Sequence, residues 1–179
     1  MNISAMIALA GSLMLAAASM SAADTSGQGP NDAQIAAIVV AANLVDINAA
    51  KVAKSKSSNP DVKDFAQLMI TDHSGVNKAA AKLVNKLHVT PQENPTSRSL
   101  EKGGEQNIVH LKGLKGSAFD KAYVDHEVAY HKQVIDAVDS TLIPNAHNKE
   151  LKALLIKVRP VIVAHLKHAK HLQASLDKS

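Results

Sequence analysis

The chain has 179 residues, a formal net charge of +4 at neutral pH and no cysteine. The lack of cysteine excludes disulfides, thiolate ligands of a metal and a lipoprotein anchor. Lysines are spread along the chain, and the only aromatic residues are Phe65, Phe119, Tyr123 and Tyr130. This pattern argues against nucleic-acid binding, which favours clustered basic residues with aromatic side chains that stack on bases.

Residues 1–23 are predicted to be a secretory signal peptide that is cleaved near Ala23. They are apolar, small and uncharged, and they end in the Ser-Ala-Ala pattern of a cleavage site. The apolar run is short for a transmembrane helix, and we expect no later segment to span a membrane. Export predicts the periplasm of a bacterium. Residues 24–32 are expected to form a flexible N-terminus before a single domain of residues 33–176.

The remaining sequence is typical of an all-α protein, because alanine, leucine, lysine and valine dominate while glycine and proline gather at a few positions. A first helix is predicted from residue 31 or 32 to about Lys56, and a second from residue 59 or 60 to about His88. Since only a short turn separates these helices, they are expected to lie antiparallel.

Two prolines in HVTPQENPTSRS (88–99) predict a loop, and residues 100–115 predict a short helix weakened by glycines. A third long helix is predicted from about Ser117 to Leu142. A fourth begins near Asn148 and continues almost to the C-terminus, with a kink expected at Pro160. The chain is therefore predicted to form an up-down four-helix bundle, ferritin-like in its arrangement, with an extra short helix or loop between helices two and three.

Polar residues interrupt the apolar face of every long helix near its middle. Traced in steps of three and four residues, the interruptions are Asp46, His73, Glu127 with His131, and His165. A buried carboxylate or imidazole is costly unless it is paired, hydrogen-bonded or bound to a metal. At a rise of about 1.5 Å per residue, these positions fall at a similar level of the predicted bundle. We therefore expect them to meet in one layer.

A metal ion explains this layer, because imidazole nitrogens and carboxylate oxygens are ligands of first-row transition metals. The predicted ligands are His73, His131 and His165, with Asp46 or Glu127 as the oxygen donor. His168 continues a HxxHxxH pattern and is a further candidate ligand, whereas Asp72 is expected beside the ligands or on the surface. The alternative is a buried histidine–carboxylate hydrogen-bond network that only fixes the register of the helices.

Three segments of the chain resemble the DUF4142 family, exported bacterial proteins of unknown function with a ferritin-like four-helix fold. They are VKDFAQLMITDHS (62–74), LKGLKGSAFDKAYVDHEVAYH (111–131) and RPVIVAHLKHAKHL (159–172), and the resemblance covers about residues 33–176. The polar positions that match the family pattern are Asp72, His73, Tyr123, His131 and His165, with Pro160 before the last. The family often has glutamate at the position of Asp46.

The ferritin-like relationship implies a di-iron enzyme or an iron store, but this chain departs from that pattern. A carboxylate-bridged di-iron centre uses a Glu-x-x-His pair on each of two helices. The sequence has no such pair, since Glu127 precedes His131 by four residues. A mononuclear site rich in histidine fits better, with zinc or copper ahead of iron.

The predicted function is that of a periplasmic metal-binding protein that buffers or stores metal or carries out simple redox chemistry. Two alternatives stay open. One is a structural or stress-protective helical module, and the other is an enzyme that handles oxygen species at a redox metal. No catalytic residue is predicted, because the sequence has no Ser/His/Asp arrangement, phosphate-binding loop or cysteine nucleophile. Metal binding is expected to weaken below about pH 6, where free imidazole takes up a proton.

Overall fold

A computed structural model of the protein describes residues 29–178, and this part of the chain consists of helices and short connections, without a strand. The predicted all-α class is confirmed. The predicted signal peptide and its cleavage site lie outside the described residues. The helices are α1 (Asp32–Lys56), α2 (Pro60–Lys86), α3 (Pro95–Gly113), α4 (Gly116–Ala137), a π-helical segment (Val138–Leu142), α5 (Ile143–Asn145) and α6 (Lys149–Leu176).

Asparagine caps begin α1 and α2 at the predicted positions. The side chain of Asn31 accepts a hydrogen bond from the backbone N–H of Gln34, and the side chain of Gln34 accepts one from the backbone N–H of Asn31. At the start of α2, the side chain of Asn59 accepts hydrogen bonds from the backbone N–H groups of Asp61 and Val62. Pro60 follows as the first helical residue, where its missing N–H leaves no bond unmade. Both helices therefore begin where local chemistry predicts.

The α3 helix is longer than the predicted short helix, with 19 residues. The prediction of a loop through residue 99 is wrong after Asn94, because Pro95 is the first residue of this helix and does not break it. The side chain of Asn94 accepts hydrogen bonds from the backbone N–H groups of Thr96 and Ser97. Its Nδ2 atom donates to the backbone carbonyl of Gln34 at 3.2 Å, which ties the start of α3 to α1.

The third predicted helix changes its geometry near its end. α4 stops at Ala137, and the next turn is π-helical, so the backbone N–H of Ile143 bonds to the carbonyl of Val138 five residues earlier. After α5, a short turn leads to α6, a helix of 28 residues with Pro160 inside it. Pro160 is exposed, so the carbonyl that it leaves unbonded faces the solvent side of the helix.

Two apolar clusters form the core, and the predicted polar residues lie between them. α1 packs along α2 and α3, α4 packs along α6, and α2 also contacts α6. The Phe65 cluster includes Phe65, Met69, Tyr123, Val128, Ala169 and Leu172. The Leu155 cluster includes Ile35, Ala80, Val138, Leu151, Leu155 and Ile162. On α2, for example, His73 follows Met69 of the first cluster and precedes Ala80 of the second.

Among the described helices, α1 alone is long and apolar enough to cross a membrane, with a mean hydropathy of 1.7 over 18 residues. α1 thus qualifies by length and composition alone, which the sequence-based expectation did not foresee. However, 61% of that window is buried inside the protein, and the core helix of a soluble protein passes the same test. α1 also buries Asn43 and Asp46, two polar residues that contact other helices of the fold.

Two neighbouring glycines of α3 test how closely this helix packs on α1. A Cβ atom on Gly104 would lie 2.9 Å from Cγ2 of Val45, whereas a Cβ atom on Gly103 would meet no atom within 4 Å. We expect Gly103→Ala to raise the free energy of unfolding by about 0.5–1 kcal/mol, because alanine restricts the unfolded chain. Gly104→Ala should lower it instead, because the stiff side chain of Val45 must move. If both variants raised the free energy of unfolding in urea equally, the close contact between Gly104 and Val45 would be contradicted.

Candidate metal centre

Three buried histidines from three helices surround one point between the two apolar clusters. His73 lies on α2, His131 on α4 and His165 on α6, and none exposes more than 5% of its surface. Their ring centroids are 5.7 Å apart for His73 and His131, 5.2 Å for His73 and His165, and 5.5 Å for His131 and His165. One ring nitrogen of each lies within 4.8 Å of one from each of the others.

Each imidazole uses one nitrogen in a hydrogen bond and leaves the other free. Nδ1 of His73 donates to Oδ1 of Asn43 at 2.7 Å, and Nδ1 of His131 donates to the backbone carbonyl of Glu127 at 2.9 Å. Nε2 of His165 donates to Oδ2 of Asp72 at 2.9 Å. The other three nitrogens are buried and have no hydrogen-bond partner within residues 29–178. They carry lone pairs, as neutral histidine does when it binds a metal.

Two buried carboxyl groups lie next to the histidines. Oδ2 of Asp46 on α1 is 3.5 Å from Nε2 of His73. Asp46, Glu127 and His131 form a second group whose ligand atoms lie within 4.8 Å of one another. A hydrogen bond between the side chains of Asp46 and Glu127 leaves some of their buried oxygens unpaired among the described residues. Either set of three residues, the three histidines or Asp46 with Glu127 and His131, could hold a metal ion. His131 belongs to both sets.

Burial keeps the three imidazoles neutral. It lowers the pKa of His73 to about 3, with a further contribution from the charges that His131 and His165 would carry. Burial likewise lowers the pKa of His131 to about 4. The pKa of His165 is also lowered by burial, although the carboxylate of Asp72 opposes this shift. Around neutral pH all three side chains are therefore in the form that binds a metal.

Burial has the opposite effect on the two carboxyl groups. It raises the pKa of Asp46 to about 8. It also raises the pKa of Glu127 well above its ordinary value, and the neighbouring Asp46 adds to this shift. Without a cation, these groups are therefore largely protonated at neutral pH. A cation that binds here replaces their protons and offsets the cost of burying their charge.

The structure brings five of the six predicted site residues together. His168 is exposed and belongs to neither group, and its ring packs edge-on against Phe65 with centroids 5.0 Å apart. The next residue, Ala169, is buried in the Phe65 cluster instead. Tyr123, a position that matches the family pattern, is fully buried, and its hydroxyl has no hydrogen-bond partner among the described residues.

Asn43 is a buried residue of the candidate site that the sequence-based prediction misses. It is buried on α1, where its Oδ1 accepts from His73 and its Nδ2 donates to the side chain of Asn77 and to the carbonyl of Val39, both at 2.9 Å. It therefore sets which nitrogen of His73 is free. Asn43 lies three residues before Asp46 in an otherwise apolar stretch, and this spacing on one helix face is the signal that could have found it.

We expect Asn43→Ala to weaken zinc binding by about 10- to 100-fold, the usual effect of removing a residue that orients a metal ligand. The physical reason is that His73 loses the acceptor that holds its Nδ1 proton and its ring orientation. Competition with a chelator of known affinity measures the change. Asn48→Ala is the matched control, because Asn48 is exposed on the same helix. Equal affinities of the two variants would contradict an orienting role for Asn43.

The helical fold and the buried histidine–carboxylate layer define a helical protein with a candidate metal centre. The family model described as domain of unknown function (DUF4142) matches residues 16–172. The chain belongs to this family, as the three sequence segments predict. No curated protein and no solved structure matches the chain.

Proposed function

We propose that this protein is a periplasmic metal-binding protein that holds one transition-metal ion in the core of a ferritin-like four-helix bundle. In this proposal α1, α2, α4 and α6 are the bundle helices, and α3 packs against α1 from outside. The three histidines are the nitrogen ligands, and Asp46 or Glu127 supplies the oxygen. The periplasmic location rests on the predicted signal peptide of residues 1–23.

One observation carries the proposal: three buried imidazoles each have one fixed nitrogen and one free nitrogen, and one ring nitrogen of each lies within 4.8 Å of one from each of the others. A layer that served only to fix the fold would satisfy its own hydrogen bonds, because an unpaired buried polar atom costs about 1–3 kcal/mol. The carboxyl groups of Asp46 and Glu127 lie beside His131, and a hydrogen bond between their two side chains leaves some of their buried oxygens unpaired. A bound cation would pair with the three nitrogens and with at least one carboxyl oxygen, which favours the metal site over the structural module.

The shared histidine favours one ion rather than two. His131 belongs to both candidate groups, and its Nδ1 already donates to the backbone carbonyl of Glu127. Only Nε2 is then free to bind a metal, so His131 serves one ion. Among divalent first-row metals, zinc and copper bind a site of imidazole and carboxylate ligands more tightly than Fe²⁺ does, which places them ahead of iron.

The position of Asp72 supports exchange of the ion with solvent, as a buffering or storage role requires. Its side chain is 34% exposed and contacts Nε2 of His165. Asp72 and His165 also line a surface hollow together with Leu68, Ala164 and His168. His165 thus lines the hollow, and its ring bonds through Nε2 to Asp72 and carries the free Nδ1 that is a proposed ligand.

Elemental analysis of the protein purified from the periplasm tests the proposed function. We expect close to one zinc or copper ion per chain in the wild-type protein, and little metal in a His73→Ala/His165→Ala double variant. His110→Ala/His171→Ala is the matched control, because both of these histidines are exposed. A wild-type protein that carries no metal and does not take up zinc or copper would refute the proposal and favour the structural module.

A further inference from the structure

An apolar pocket of about 50 Å³ reaches the histidine cluster from the side of the Leu155 cluster. Its walls are aliphatic side chains from α1, α2, α4, the π-helical segment and α6, with Val39, Val76 and Val158 among them. At its inner end it meets His73 and His165, whose free nitrogens are the proposed ligands. The pocket therefore adjoins the site of the proposed ion.

The chemistry of the walls disfavours water in this pocket. A buried water needs two to four polar partners. Three of the polar groups that line the pocket are engaged: Asn43 bonds to His73, Val39 and Asn77, and Oδ2 of Asp72, which also lines the pocket, accepts from Nε2 of His165. Once an ion occupies the free nitrogens, these atoms are engaged as well. The pocket then offers a small guest mainly dispersion contacts, which favour an uncharged apolar molecule.

The backbone geometry beside the pocket is a second, independent observation. Val138 and Leu142, the first and last residues of the π-helical segment, both line the pocket. A π-helical turn inserts one residue into an α-helix, widens the backbone and is frequent at functional sites. The widened backbone of this turn therefore borders the pocket.

We propose that this pocket binds one small uncharged molecule of the size and polarity of dioxygen beside the metal ion. The aliphatic walls carry the binding, whereas the exclusion of water beside the histidines and the role of the guest as a ligand of the ion rest on the proposed function. Val161, which is 39% exposed, lines both this pocket and the surface hollow with His168. It marks the short route by which such a molecule enters.

Xenon is a suitable probe, because it is apolar and close in size to a small diatomic molecule. We expect crystals of the zinc-loaded protein under xenon pressure to hold one xenon atom in contact with Val158 and near His73. Xenon titration followed by 129Xe NMR should show saturable binding to the same protein in solution. An ordered water in the pocket, or no xenon there, would overturn the proposal.

Val158→Phe fills the pocket from α6 and should weaken xenon binding at least about tenfold while zinc content is retained. Val109→Phe is the matched control, because Val109 is 73% exposed on α3, and it should leave xenon binding unchanged. Val39→Phe, which fills the pocket from α1, repeats the test if Val158→Phe does not fold. Unchanged xenon binding in a folded, pocket-filling variant would refute the proposal.

Measuring metal and xenon on the same samples separates this inference from the proposed function. Protein that holds xenon but no metal would refute the proposed function and leave the pocket as a binding site. Protein that holds zinc but no xenon would refute the pocket and leave the metal centre.

Discussion

Zinc at a free concentration of about 1,000 times its Kd should raise the free energy of unfolding of the wild-type protein by about 4 kcal/mol. In the proposed function the ion binds the folded chain, in which ring nitrogens of the three histidines already lie within 4.8 Å of one another and oxygens of Asp46 and Glu127 lie as close to His131. It also removes the cost of leaving these buried atoms unpaired. Urea unfolding with zinc and with a chelator measures the difference.

The His131→Ala variant should lose most of this zinc-dependent stabilisation, because His131 belongs to both candidate groups. The comparison is between zinc and chelator for each variant, so the cavity left by the substitution affects both measurements equally. His110→Ala is the control and should keep the full effect, since His110 is exposed on α3. An equal zinc effect in His131→Ala would show that the ion binds elsewhere.

Zinc affinity should rise with pH by up to about 100-fold per pH unit between about pH 5 and 7, because binding displaces protons from two carboxyl groups. The sign follows from the direction of the pKa shifts. The pKa of Asp46 is raised to about 8 and that of Glu127 is raised too, so both carry protons in this range when no cation is bound. The pKa values of His73 and His131 are lowered to about 3 and 4, so these imidazoles do not compete for protons there.

Calorimetric titration with zinc at several pH values, in buffers that differ in ionisation enthalpy, measures the affinity and the protons released. Asp46→Asn removes one of the two carboxyl protons that zinc displaces. The rise of zinc affinity with pH should then fall to about tenfold per pH unit. Asp136→Asn, at an exposed position of α4, should leave it unchanged. An affinity that falls only below about pH 6, as expected for free imidazole, would contradict the buried environment.

The helices and the meeting of the histidines could be predicted because both follow from periodicity. Asn31, Asn59 and Asn148 each cap a predicted helix start, and the apolar repeat sets which face turns inward. The polar interruptions at His73, His131 and His165 could be aligned because a helix rises by a constant amount per residue. These rules need no knowledge of which helix packs on which.

Other features depend on contacts that a sequence pattern does not specify. The predicted α3 is too short because proline breaks a helix from inside but is favoured as its first residue. Only the cap by Asn94 shows that Pro95 begins the helix. His168 follows His165 by three residues, a spacing that predicts the same helix face. In the structure, however, His168 is exposed and the next residue, Ala169, is the buried one. The π-helical segment has no proline or glycine in it to mark its position.

The layer of histidines and carboxyl groups divides the interior into two apolar halves that do not merge. This division has a consequence for how the protein opens locally. Amide hydrogens of the Phe65 half and the Leu155 half should exchange with deuterium at separate rates in the metal-free protein, as two neighbouring foldons do. In the proposed function one ion would be coordinated from α2, α4 and α6 and would link both halves, so we expect exchange in the loaded protein to become a single cooperative event.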